Sequence, residues 1–162
     1  MIGELCSDIE KAANAGLYSA ALVSALALVD ICGSLRTENG RSTGTSFKSM
    51  WSDHFQSVLP ELDPNDAWQL RCSMLHQARS ATATQPRVLF VGNEVQSSFR
   101  DFRINGVVLV DILGFCGRIV ATARTWYLAN LGTEPVHRNR AALMKWHETG
   151  VTPYVQGVPV LS

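Results

Sequence analysis

The chain has little charge, and what it has cancels. Acidic and basic residues make up 17% of its 162 residues, with fourteen Lys and Arg against fourteen Asp and Glu. Proteins that coat nucleic acid do so by neutralising many phosphates with a surplus of basic side chains. A net charge of zero excludes that mode and leaves room only for a small, local phosphate site. Disorder is excluded as well, because 46% of the residues are apolar and such a composition collapses into a core. Cysteine is sparse: Cys6, Cys32, Cys72 and Cys116 lie far apart, each in an apolar, helix-like context, and none has the spacing of a metal knuckle. They read as reduced, buried thiols of a cytoplasmic protein. The N-terminus has Glu4, Asp8 and Glu10 where a secretory leader would have bases, so no leader is expected. Gly40 and Gly44 form no phosphate-loop pattern. The scattered His54, His137 and His147 form no ligand cluster, so neither a metal nor a cofactor is expected.

What is present is helical periodicity. Residues 3–15 carry Leu5, Ile9, Ala12 and Ala13 at helical spacing, and Gly16 ends the run. The next stretch, 17–35, is apolar nearly all round and long enough to suggest a membrane span. Asp30, together with Ser19, Ser24 and Gly33, favours a central buried helix instead. A polar loop with an Asn39-Gly40 turn follows. A third helix over 46–58 has Phe47, Met50, Trp51, Phe55 and Val58 on one stripe. Asp63-Pro64-Asn65-Asp66 then starts a fourth that fades near Ser80. Residues 88–91 and 107–110 read as short strands placed to pair as an antiparallel ribbon, with a polar stretch, 96–103, between them. A fifth helix spans 112–131 between Asp111 and Gly132, and a last one spans 136–148. Trp51, Trp68, Trp126 and Trp146 fall on helical stripes and read as core. The expected architecture is mainly α: a bundle of five to six helices with a small two-stranded ribbon. It forms one domain over 1–150, with an extended tail over 151–162.

The residues with chemistry to offer sit on the fourth helix, in Leu70-Arg71-Cys72-Ser73-Met74-Leu75-His76-Gln77. Arg71 is always charged and suited to a phosphate; His76 titrates near neutrality and can give or take a proton. Their separation turns them about 140° apart on a straight helix, so one phosphate reaches both only if the helix end bends or a second subunit completes the site. Asp30 is the second feature, because a carboxylate in an apolar helix needs a partner; Arg71, Arg79 and Arg36 are the candidates. Ser73 and Arg79 complete the polar residues around the motif, while Arg87, Arg100 and Arg103 flank the strands as solvated bases or as RNA guides.

An Arg followed after four residues by a His, late in a helix that comes after two other long helices, resembles the signature of the HEPN family. The segment Val29-Asp30-Ile31-Cys32-Gly33-Ser34-Leu35 is similar to the matching part of a bacterial HEPN-like group, and the resemblance spans roughly residues 1–130. It implies a homodimer whose motif helices meet in a composite cleft. It also implies metal-independent endoribonuclease chemistry by Arg71 and His76, giving a 2′,3′-cyclic phosphate and a 5′-hydroxyl, in a toxin or phage-defence setting with an antitoxin or regulatory partner. The family often has Asn, Asp or His directly after the Arg; here that position is Cys72. Two other readings stay open: a non-catalytic dimeric module for RNA, a nucleotide or a partner protein, and a structural dimer in which Arg71 and His76 are ordinary bundle residues.

Overall fold

The computed structural model describes residues 1–77, 79–80, 88–92 and 102–162. The fold is mainly α with small sheets. Helix α1 (Ile2–Asn14) ends where Gly16 takes φ +74°. The Leu17 N–H then bonds the Ala12 carbonyl and the Gly16 N–H bonds the Ala13 carbonyl, so the last carbonyls of the helix are satisfied through a left-handed residue. Helix α2 (Tyr18–Leu35) follows at once. It is long and apolar enough to cross a membrane by length and composition, yet here it is the central helix of the bundle, packed against α1 and α5 (Ile112–Asn130). Ala21, Leu22, Ala25, Leu26, Leu28, Val29 and Cys32 are buried on several sides of it, which explains why its sequence shows no clean polar face.

The third helical segment has three geometries in succession: α3 (Gly44–Met50), a π-helical turn over Trp51–Phe55 and a 3-10 turn over Gln56–Val58. Apolar spacing alone does not distinguish these. Thr43 and Ser46 cap the start reciprocally, each side chain accepting the other's backbone N–H, at 3.0 and 2.8 Å. Phe47, Met50, Trp51 and Phe55 are fully buried, and the Trp51 indole N–H donates to the Leu62 carbonyl at 3.2 Å. Helix α4 (Pro64–Gln77) starts as its sequence predicts, with the Asp63 carboxylate accepting the Asn65 and Asp66 N–H groups at 2.8 and 2.9 Å.

The strands differ from expectation. Strand β3 (Val107–Asp111) pairs in parallel with β1 (Val88–Val91), and its antiparallel partner is β2 (Phe102–Ile104), giving the order β1-β3-β2. The reason is the turn: Asn105 and Gly106 adopt φ +49° and +78°, a two-residue connection that pairs β3 with the segment immediately before it. The polar stretch expected between the strands falls mostly outside the described residues, as do Arg87 and Arg100. Asp111 caps α5 by accepting the Leu113 and Gly114 N–H groups at 3.2 and 3.0 Å.

The last expected helix is shorter than its sequence suggests. Helix α6 (Glu134–Asn139) passes through a 3-10 turn (Arg140–Ala142) and then leaves helical geometry. The Lys145 N–H donates to the Ser162 carbonyl at 2.5 Å and the Ser162 N–H returns to Lys145 at 3.0 Å, so pairing with the C-terminus wins over the helix. Strands β4 (Trp146–His147) and β7 (Val160–Leu161) pair antiparallel, and β5 (Gly150–Val151) pairs with β6 (Val155–Gln156). Trp146 therefore lies 55% exposed on this folded-back segment rather than in the core, whereas Trp51 and Trp126 are buried and Trp68 is half-buried.

Candidate functional site

Asp30 and Arg71 meet between α2 and α4. The Asp30 carboxylate is buried, and its Oδ2 accepts the Arg71 Nε–H at 2.5 Å and also pairs with Nη2. Of the three arginines that could have answered Asp30, Arg36 is instead held by Asp53 at 2.8 Å, and Arg79 lies exposed beyond the end of α4. Arg71 is thus held through Nε and Nη2, and among the described residues nothing accepts from Nη1.

Two further residues shape this pair. Ser42 donates its hydroxyl to Oδ1 of Asp30 at 2.5 Å, so both carboxylate oxygens are engaged. Trp68 lies one helical turn before Arg71 and offers its ring face, with the guanidinium carbon 5.0 Å from the ring centroid. The indole is backed by Phe47, at a centroid distance of 5.4 Å and tilted by 55°. On another side it meets Gly44, where a Cβ would stand 3.1 Å from Cε2 of Trp68. Sequence reasoning missed both residues. Trp68 was findable, because positions i and i+3 share a helix face. Ser42 had no local signal; its contact with Asp30 is tertiary.

His76 is exposed on the last turn of α4. Within one chain no hydrogen bond joins it to Arg71 among the described residues, and the helical turn between them points the two side chains to different sides. The Ser73 carbonyl accepts the Arg79 N–H at 3.1 Å and the Ser80 carbonyl accepts the Val88 N–H at 2.8 Å, so the helix end is tied toward β1 by backbone. Cys72 is half-buried, while Cys6, Cys32 and Cys116 are buried; all four are free thiols. Burial pushes the thiols of Cys32 and Cys6 up, and that of Cys116 up to about 11.

His54 lies on the π-helical turn with its ring 6.3 Å from that of Trp126, and burial followed by the nearby Arg36 cation lowers its pKa. His137 is exposed, and His147 shares a hydrogen bond of 3.0 Å with Ser162. Among the described residues no three His, Cys, Asp or Glu side chains converge in a way that would hold a metal ion. Two surface grooves, of about 410 and 480 Å³, lie along the 137–145 segment and beside His54 and Trp126, and neither includes Arg71 or His76. No family model, curated protein or solved structure matches this chain.

Proposed function

We propose that this protein is a metal-independent endoribonuclease in which Arg71 holds the phosphodiester, His76 moves the proton, and a second copy of the chain completes the cleft. The observation that supports this is the buried Asp30 on α2 fixing Arg71 on α4 through Nε and Nη2, with no acceptor for Nη1 among the described residues and His76 exposed on the same helix. A buried ion pair is a poor way to stabilise a bundle, since desolvation offsets most of the attraction. What such a pair does provide is direction: a guanidinium that needs no reorganisation when charge develops on a phosphate. The HEPN-like spacing of Arg71 and His76 points to the same chemistry.

In that scheme one neutral His76 accepts the proton of a ribose 2′-hydroxyl as its oxygen attacks phosphorus. The protonated His76 of the second copy donates to the departing 5′-oxygen, and the products are a 2′,3′-cyclic phosphate and a 5′-hydroxyl. Arg71 faces the non-bridging oxygens, whose charge grows in the transition state. The proposed setting is cytoplasmic, with an antitoxin or other regulatory protein as partner. A second reading, a dimeric module that binds RNA without cutting it, draws support from Cys72, which stands directly after Arg71 where the family it resembles often has Asn, Asp or His.

The test is to incubate labelled RNA with the protein in EDTA, beside an Arg71→Ala, His76→Ala double variant. Cleavage by the natural protein alone is the expected result. RNA retention without cleavage transfers the case to the binding module, and neither activity defeats both readings.

A further inference from the structure

We infer that Ser42 is a positioning residue for Arg71, acting through Asp30; its consequence for RNA chemistry rests on the function proposed above, while the positioning itself does not. The argument starts from the way Ser42 is itself held. On its N-terminal side the loop is tied down by the Asn39 side chain, which accepts the Arg41 N–H at 3.0 Å, and by the Thr37 hydroxyl, which donates to the Ser34 carbonyl at 2.8 Å. Arg138 and Asn139 of α6 reach the same loop, donating to the carbonyls of Glu38 and Thr37 at 2.6 and 2.7 Å. On its C-terminal side the reciprocal Thr43–Ser46 cap begins at the very next residue. Ser42 is thus an exposed residue on a pinned backbone, and its hydroxyl is directed onto a buried carboxylate.

That contact closes a ring of neighbours. Ser42 holds Oδ1 of Asp30, Oδ2 holds Arg71, Arg71 lies over Trp68, and Trp68 packs on Gly44, two residues beyond Ser42. A carboxylate held at one oxygen only can rotate about its last torsion, which is soft. Held at both, it presents Oδ2 in one orientation, and the guanidinium follows. The loop residue that precedes the cap of α3 therefore sets the tilt of an arginine on α4 to which it is not directly bonded.

The test follows the Arg71 Nε–H proton by nuclear magnetic resonance in the full chain, with the signal assigned by its loss in Arg71→Lys. Removing one hydrogen bond worth about 1 kcal/mol should speed exchange of that proton with water roughly fivefold in Ser42→Ala, while Ser42→Thr, which keeps the hydroxyl, restores slow exchange. Circular dichroism confirms that both variants fold. If the natural protein cleaves RNA, Ser42→Ala lowers kcat by a similar factor with little change in KM, and Ser42→Thr recovers it. Unchanged exchange in Ser42→Ala, or equally fast exchange in Ser42→Thr, overturns the inference. The exchange measurement gives its answer whether or not RNA is cut, so failure of the ribonuclease reading is distinguishable from failure of this one.

Discussion

Replacing Asp30 by Ala strikes the one buried ion pair that joins α2 to α4. The carboxylate side chain is 7% exposed and the Arg71 side chain 19%. Removing one partner of a buried pair leaves an uncompensated charge and costs about 3–5 kcal/mol where water cannot reach it. Arg71 retains some access to solvent and the face of Trp68, so the loss falls around and somewhat below the lower end of that range; the orphaned Ser42 hydroxyl is exposed and adds little. The expected loss is about 2–4 kcal/mol, which for a domain of this size lowers Tm by roughly 5–15 °C. Thermal unfolding followed by circular dichroism measures it. A second variant, Asp30→Leu with Arg71→Met, removes both charges at similar volume and should recover most of the loss, because the penalty lies in the unpaired charge and not in the missing attraction. A Tm for Asp30→Ala within about 2 °C of the natural protein, or a double variant no better than the single one, would refute the reasoning.

Gly33→Ala places a Cβ 3.0 Å from the Ser46 carbonyl oxygen, between α2 and α3, and should cost about 1–3 kcal/mol in urea unfolding, since backbone on both sides resists the shift. In the native protein a thiol reagent at about pH 8 should modify Cys72 first, with Cys116, pushed up to about 11, and the deeper Cys6 and Cys32 reacting only on unfolding; mass spectrometry of the labelled peptides reads the order. His54 is held below its ordinary value near 6.5, so the unfolded chain binds its proton more readily than the folded one. Stability is free of that cost above 6.5 and declines as pH falls below it, and the decline in Tm from about pH 7 to about pH 5.5 should be smaller in His54→Gln. Equal declines in the two proteins would remove His54 from the account.

The helices were legible because their signals are local. The Asp63 and Asp111 caps, the Gly16 stop and the Phe47–Phe55 stripe each act within a few residues, and each appears in the structure where the sequence puts it. The π-helical turn at Trp51–Phe55 was not legible, since one extra residue per turn leaves the apolar stripe nearly intact. The strand pairing was misread for a different reason. The Asn105-Gly106 turn is local and visible, but Phe102–Ile104 is too short to show a pattern, and the parallel pairing of Val88–Val91 is a tertiary event. The last helix stops short because the chain turns extended at Leu143 and, from Lys145 on, bonds to Ser162, far along the chain, decide the backbone. The candidate site divides the same way. Asp30 announced that it needed a cation, and Arg71 answers it; Ser42 lies in a loop whose composition says only that it is polar.

The most direct test of the proposed chemistry is the identity of the ends it leaves. RNA of mixed sequence and its all-deoxy counterpart are incubated in EDTA with the natural protein and with His76→Ala, and the fragments are analysed by mass spectrometry. The account predicts RNA fragments ending in a 2′,3′-cyclic phosphate, with an intact deoxy strand and no fragments from His76→Ala. Fragments of the deoxy strand, or equal cutting by His76→Ala, would contradict it.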